Sequence, residues 1–404
     1  MKLLRQYIFT REVFFNLLMF LMWGNMLLAY MRGFVGFIPG MKNYQDEAEM
    51  VVVTCIVAAA LPAMINRMAT IDWMFLFGCT GIYLLNMGVF VNNFDPLVEN
   101  MFHTLCLTIP FFLFGRMLDV KVMLKPMTII SALCILLDAV YFLIYMRNPA
   151  KMVERMAGEY YMYQAYRLLP HVLFLYWRGL SELNWWKLLL GVLGTFLIIA
   201  YGTRGPLGCV GVFCIVYFFL YTKFRFSFVI KSILMGIAGF LVLFPQASLI
   251  LLYKVLSQLD MSTRIVEKLL TGGILQDSGR GYIKLRLYEY LERPDTFWGY
   301  GLFGTKRFGV IYPHDYILDF IFSFGYVIGG LILAYTSYLI IKAYFVSVRN
   351  IDRDFLLLLL CTTILKYNFS STYISEGLYF ALLGFCTTII ISHHHIKEKI
   401  YKKP

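Results

Sequence analysis

Eight polar residues in the C-terminal half carry the chemistry open to this chain: Arg204, Arg280, Lys284, Arg286, Tyr312, His314, Asp315 and Asp319. Arg204 stands in "YGTRGP" (201–206), a short link between two apolar runs, where Gly202, Gly205 and Pro206 are expected to bend the chain tightly around it. Its planar fork of donors suits a phosphate, although an arginine there also snorkels to lipid headgroups or pairs with an acid. Arg280, in "DSGRGY" (277–282), opens an amphipathic stretch, and backbone N–H groups at a helix start attract anions. Lys284 follows one turn on and Arg286 lies nearby; any one of these alone reads first as a solvated helix face. In "YPHDYILDF" (312–320), Pro313 suits the first turn of a helix and places His314 in that turn. The positive end of the helix dipole disfavours imidazolium, so His314 is expected neutral at pH 7 and able to accept a proton. Asp315 is expected to orient it or to serve as the helix-start acid, with Asp319 one turn deeper on the same face. His314, Arg204 and Arg280 form the candidate catalytic set; Lys284, Arg286, Tyr312, Asp315 and Asp319 form the candidate substrate-binding set.

The elements that must hold these residues are membrane helices. Apolar residues make up 60% of the chain and charged ones 15%, well below the quarter or so of a soluble domain. The fold class expected is all-α, a polytopic membrane protein. Runs of spanning length fall near 13–31, 50–66, 73–91, 98–115, 126–146, 186–202, 205–222, 227–252, 316–346, 355–370 and 374–392, and a shorter one at 168–180 makes about twelve spans. The first run lacks a small-residue cleavage site and reads as a span rather than a removable signal. Lys and Arg concentrate in the segments that are inside if both termini are cytoplasmic, while the outer segments hold only Arg32, Lys42, Arg147, Lys151, Arg155, Arg167 and Arg204 outside the long loop. The net charge of +12 is thereby assigned to membrane topology, and no nucleic acid is expected as a partner. The long loop at 253–313 then faces outward, and two amphipathic helices are expected in it. One covers 262–273. The other covers 279–294, with Ile283, Leu287 and Leu291 on one face, Arg286, Glu289 and Arg293 on another, and Pro294 at its end. Such helices lie on a membrane surface or roof a cavity.

Three ordered blocks make the pattern specific: "YGTRGPLGCVGVF", "SGRGYIKLRLYEYLERPDTFWGYGLF" and "YPHDYILDFIFSFGYVIGGLI". Together they resemble the O-antigen ligase and O-antigen polymerase superfamily of bacterial membrane glycosyltransferases, over roughly residues 186–335. That family shows a small-Arg-Gly/Ala turn opening a span, a Gly-Arg amphipathic helix running into Pro and a Gly-x-Gly turn (here Pro294 and 299–301), and a Tyr-Pro-His-Asn helix start with a Gly-containing span beyond. Asp315 departs from the pattern, which has Asn there. The resemblance implies an inverting glycosyltransferase that needs no metal or other cofactor and works on the outer face of the bacterial inner membrane, its termini cytoplasmic. Its donor would be an undecaprenyl-pyrophosphate-linked oligosaccharide, Arg204 and Arg280 would hold the pyrophosphate, and His314 would activate the acceptor hydroxyl.

Within that resemblance the leading expectation is a polysaccharide polymerase of O-antigen or capsule biosynthesis, which transfers the glycan to a lipid-linked repeat unit. The alternative is a ligase that transfers it to lipid A–core or protein. A flippase for lipid-linked sugars is a third, different class, but it would more naturally show repeated halves and charge near the midplane. Membrane lipids, a flippase and a chain-length regulator of the same pathway are the partners such an enzyme would meet. The chain then divides into N-terminal helices (1–185), which shape acceptor or lipid entry, a core (186–346) and C-terminal helices with a basic tail (347–404). Other motifs read as bland. "DRD" (352–354) is expected in a solvated cytoplasmic loop, "HHH" (393–395) in the tail, His171 in a structural role, and the Tyr-rich 159–167 in an aromatic belt. The cysteines, scattered singly in apolar runs, read as small fillers rather than disulfide or metal partners.

Overall fold

The computed structural model describes residues 44–145, 162–221, 280–293 and 297–401, with isolated positions in 16–30 and 250–270. The run expected as a span at 13–31 is described only in part, and the one at 227–252 and the helix expected over 262–273 lie almost wholly outside the described residues, as does Pro294. The described chain is helical, without a strand: α1 (Gln45–Ile65), α2 (Thr70–Val89), α3 (Phe94–Phe102), α4 (Phe111–Met117), α5 (Val120–Tyr145), α6 (Met162–Glu182), α7 (Trp185–Ala200), α8 (Arg204–Tyr221), α9 (Arg280–Leu291), α10 (Tyr316–Val346), α11 (Asn350–Thr362), α12 (Ile364–Tyr367) and α13 (Gly377–Tyr401). Among the described residues, four helical stretches are long and apolar enough to cross a membrane: Val91–Met117, Val120–Leu143, Tyr316–Val346 and Gly377–His394. Val51–Ile65, Trp185–Ala200 and Arg204–Tyr217 are apolar but shorter. The chain is an all-α membrane protein.

Two compact units emerge, one from Met1–Pro126 with Ser278–Pro404, the other from Met127–Asp277. They cut across the expected core, leaving 186–277 in the second unit and 278–346 in the first.

In the first unit, α3 and α4 join into one stretch through a π turn at His103–Thr108. Pro110 has no N–H to return to the preceding turn, and the wider turn before it absorbs the mismatch. Helices α4 and α13 cross with their backbones in contact, because a Cβ on Gly115 would overlap the Ala381 carbonyl and one on Gly384 the Phe112 carbonyl. Close packing of this kind is what holds helices together where lipid removes the hydrophobic drive. Beside the crossing, Arg116 Nε pairs with the buried Asp72 at 2.7 Å and its Nη1 donates to Thr388 Oγ1 at 2.9 Å, tying α2, α4 and α13 together.

The run 316–346 is not a single straight helix. Gly325 adopts φ 75° and ψ 174°, and the chain doubles back there. A Cβ on Gly329 would sit 2.7 Å from the Phe320 carbonyl oxygen, nine residues earlier, whereas a straight helix would hold that oxygen roughly 10 Å away. Residues 316–324 are therefore a half-helix lying against 326–346. The fold-back strips carbonyls of their helical partners, and the 299–301 loop replaces them: Tyr300 N donates to Phe322 O at 2.8 Å and Gly301 N to Ser323 O at 3.0 Å. Irregular backbone inside a membrane protein survives only where the protein satisfies it in this way.

The expected span at 355–370 is broken. Helix α11 ends at Thr362, Thr363 leaves helical geometry at φ −120° and ψ −90°, and α12 is one turn long. Thr362 and Thr363 each turn a hydroxyl onto the backbone one turn back, at 3.0 Å to Leu358 O and 2.6 Å to Leu359 O, competing with the helix ladder. Nor is "DRD" a solvated loop. Asp352 lies in the first turn of α11 and Asp354 just beyond it, both are buried, and Arg349 chelates Asp352 at 2.6 and 2.8 Å. The histidines 393–395 continue α13 rather than fraying from it.

In the second unit α6 is the buried member, with Leu168, Leu169, Val172, Leu173 and Trp177 fully covered by α5, α7 and α8. His171 is buried and meets Ser131 Oγ at 3.2 Å, a structural contact between α5 and α6. All eight cysteines are free thiols.

Candidate functional site

The site is built where α9 lies across the half-helix of α10. Leu287 and Leu291 of α9 are buried against Leu318 and Phe322 of the half-helix and Val310 of the loop, with Ile283 packed beside them. Residues 280, 284, 287 and 291 share one side of a helix of 3.6 residues per turn. Seating the leucines therefore carries Arg280 and Lys284 to the start of α10.

Helix α10 starts three residues later than the proline suggested. Its first residue is Tyr316 and its N-cap is Asp315, whose Oδ1 accepts from Ile317 N and Leu318 N at 3.1 Å each. His314 thus stands just before the cap rather than in the first turn, and Pro313 is outside the helix. An aspartate cap satisfies two orphan N–H groups that proline at the first helical position would leave open.

His314 has φ 56°, a left-handed conformation uncommon for a residue with a side chain. Its ring is held on two sides. Nδ1 lies 2.9 Å from the Phe369 carbonyl oxygen, and Tyr312 packs edge-on at 4.5 Å between ring centroids, its hydroxyl 3.2 Å from Ser370 Oγ. A carbonyl only accepts, so Nδ1 carries the proton and Nε2 keeps its lone pair. Burial lowers the pKa of His314 below its ordinary value; the Phe369 carbonyl opposes this, and the nearby Arg280 and Lys284 push further down. The histidine is neutral at pH 7, as expected, but through burial and cations more than through a helix dipole.

The candidate residues divide among these surroundings. Arg280 is half-buried and makes no hydrogen bond or ion pair among the described residues. Lys284 is paired, its Nζ 2.8 Å from Asp315 Oδ2. Arg286 points elsewhere, exposed on another face of α9. Asp319 turns inward rather than toward the site: it is buried and accepts from Thr372 Oγ1 at 2.5 Å, bracing the half-helix against the loop after α12. Arg204 belongs to the second unit, where it opens α8. Only Gly202, at φ 71°, makes the tight turn before it, since Gly205 and Pro206 already lie in the first helical turn. Asp138, fully buried in α5, anchors that turn by accepting from Tyr201 at 2.8 Å, and it also accepts from Gln164 at 2.8 Å.

Several supporting residues escaped the sequence reading. Asn86 and Asn93 clamp the Gly-x-Gly loop, with Leu302 N donating to Asn86 Oδ1 at 2.9 Å and Asn93 Nδ2 to Tyr300 O at 2.5 Å. Asparagine inside or at the end of an apolar run was the available signal, because a buried amide in a span needs a partner. The loop that supplies the Phe369 carbonyl is closed by Lys366 and Glu376, 2.5 Å apart and nearly buried. That pair lay inside what reads as two spans.

No family model matches the chain. No curated protein and no solved structure matches it either.

Proposed function

We propose that this protein is a polysaccharide polymerase that transfers a glycan from a polyprenyl-diphosphate carrier to a second lipid-linked repeat unit on the outer face of a bacterial inner membrane. The observation that carries the reading is His314: a neutral imidazole with its Nδ1 committed to a carbonyl and Nε2 left to accept a proton, beside the guanidinium of Arg280, which has no hydrogen-bond or ion-pair partner among the described residues. The resemblance of the three sequence blocks motivates the substrate class, and the surroundings of His314 and Arg280 support the roles proposed for them.

In the reaction an acceptor sugar hydroxyl attacks the anomeric carbon of the donor. The new C–O bond forms as the bond from the anomeric carbon to the diphosphate oxygen breaks, and that electron pair leaves with the lipid diphosphate. The hydroxyl proton passes to Nε2 of His314. A fixed cation lowers the barrier by stabilising the charge that grows on the leaving diphosphate, the role assigned here to Arg280. A single displacement inverts the anomeric centre.

The test is purified protein in detergent or nanodiscs with one lipid-diphosphate oligosaccharide, EDTA present, and products resolved by size. A ladder from that substrate alone supports polymerase. Product only after addition of lipid A–core or a protein acceptor replaces polymerase with ligase. No covalent product under either condition refutes glycosyl transfer.

A further inference from the structure

Asp315 does two jobs with two oxygens. Oδ1 caps the half-helix by accepting from Ile317 N and Leu318 N, while Oδ2 holds Lys284 at 2.8 Å. Capping does not require a charge, since asparagine caps a helix about as well as aspartate. The negative charge therefore matters for Lys284. That pair is partly open to solvent, with 33% of the lysine side chain and 20% of the aspartate exposed, so it is an exchangeable contact rather than a buried lock. One turn before it stands Arg280, uncommitted among the described residues, and beside it His314.

We infer that Asp315 is a resident counter-ion that competes with the substrate diphosphate for Lys284. It is a positioning residue that sets how tightly the anionic group is held. The inference rests on the diphosphate reading above. An arriving diphosphate engages Arg280 directly and draws Lys284 away from Asp315; once the glycan has been transferred, the carboxylate reclaims the lysine and favours release of the lipid diphosphate. Reciprocity requires it: whatever free energy the pair has in the empty site is subtracted from diphosphate binding.

Asp315→Asn isolates this effect, because it keeps the cap and removes the charge. The probe is farnesyl diphosphate titrated into the full-length purified protein, with binding read by calorimetry, and the donor KM measured alongside. Asp315→Asn should bind farnesyl diphosphate about two- to fivefold more tightly than wild type, the range of a partly exposed ion pair, and lower the donor KM by a similar factor. The gain should vanish in a Lys284→Met background. Unchanged or weaker binding by Asp315→Asn overturns the inference, as does an equal gain without Lys284. If wild type binds farnesyl diphosphate and Arg280→Ala weakens it while Asp315→Asn does nothing, only this inference fails. If wild type does not bind the probe at all and Arg280→Ala is equally silent, the diphosphate reading falls and takes the inference with it.

Discussion

Replacing Gly325 by alanine should be among the most damaging single-methyl changes available to this protein. The backbone at Gly325 sits at φ 75° and ψ 174°, a region that residues with a side chain enter at a cost of about 1–3 kcal/mol. The added Cβ would overlap the Phe297 carbonyl oxygen and approach Gly299 N to 2.9 Å, both backbone atoms with no soft side chain to yield. Relief requires the 297–301 loop to lift from α10. That breaks the hydrogen bonds from Tyr300 N to Phe322 O and from Gly301 N to Ser323 O, at about 0.5–1.5 kcal/mol each. The expected loss is about 3–5 kcal/mol, close to the range of a large single-mutation effect. Gly330, five residues on in the same helix, is the control: nothing lies within 4 Å of its added Cβ, so Gly330→Ala should be near neutral, at most about 1 kcal/mol stabilising. The assay is unfolding of the purified protein by SDS titration from detergent micelles. Gly299→Ala strains the same contact, with its Cβ 2.8 Å from Phe322 O, so the double variant should lose less than the sum of the two. Equal stability of Gly325→Ala and Gly330→Ala would refute the fold-back.

Other outcomes follow from the site. Because burial and the neighbouring cations hold the His314 pKa below its ordinary 6.5, a neutral base predicts turnover that is flat above pH 7 and falls as pH drops through a midpoint below 6.5; a midpoint above 7 would count against it. Arg280→Lys keeps the charge but loses the planar fork, so transfer should fall severely while the protein still accumulates in membranes, and wild-type product levels would make Arg280 a generic surface charge. A cysteine at the exposed Arg286, in a background without the native cysteines, should react with an impermeant thiol reagent added outside spheroplasts; labelling only after lysis would reverse the proposed orientation.

What the sequence disclosed and what it hid have physical reasons. The period of Ile283, Leu287 and Leu291 marked α9 and its buried face, because an amphipathic helix on protein must repeat every three or four residues. Membrane character was legible in composition. The fold-back at Gly325 was not, since 316–324 and 326–346 are both apolar and hydropathy is blind to direction; one glycine was its only sign. The helix start was misplaced because Pro313 and Asp315 are both start signals, and the residue whose carboxylate takes two N–H groups prevailed. Asp352 reads as solvated from sequence because its partner, the partly exposed Arg349 three residues before, is indistinguishable there from an ordinary loop charge. The Phe369 carbonyl could not have been found at all, because a backbone acceptor 55 residues away leaves no trace in residue type.

The most direct measurement compares wild type with His314→Gln in the size-resolved transfer assay. Glutamine keeps a hydrogen-bonding side chain of similar length but cannot take the acceptor proton at neutral pH, so transfer should fall by roughly 10²–10⁴-fold, the usual contribution of a general base. Farnesyl diphosphate binding, assigned to Arg280 and Lys284, should persist within a few-fold. A full ladder from His314→Gln would remove the histidine from the chemistry and contradict the account.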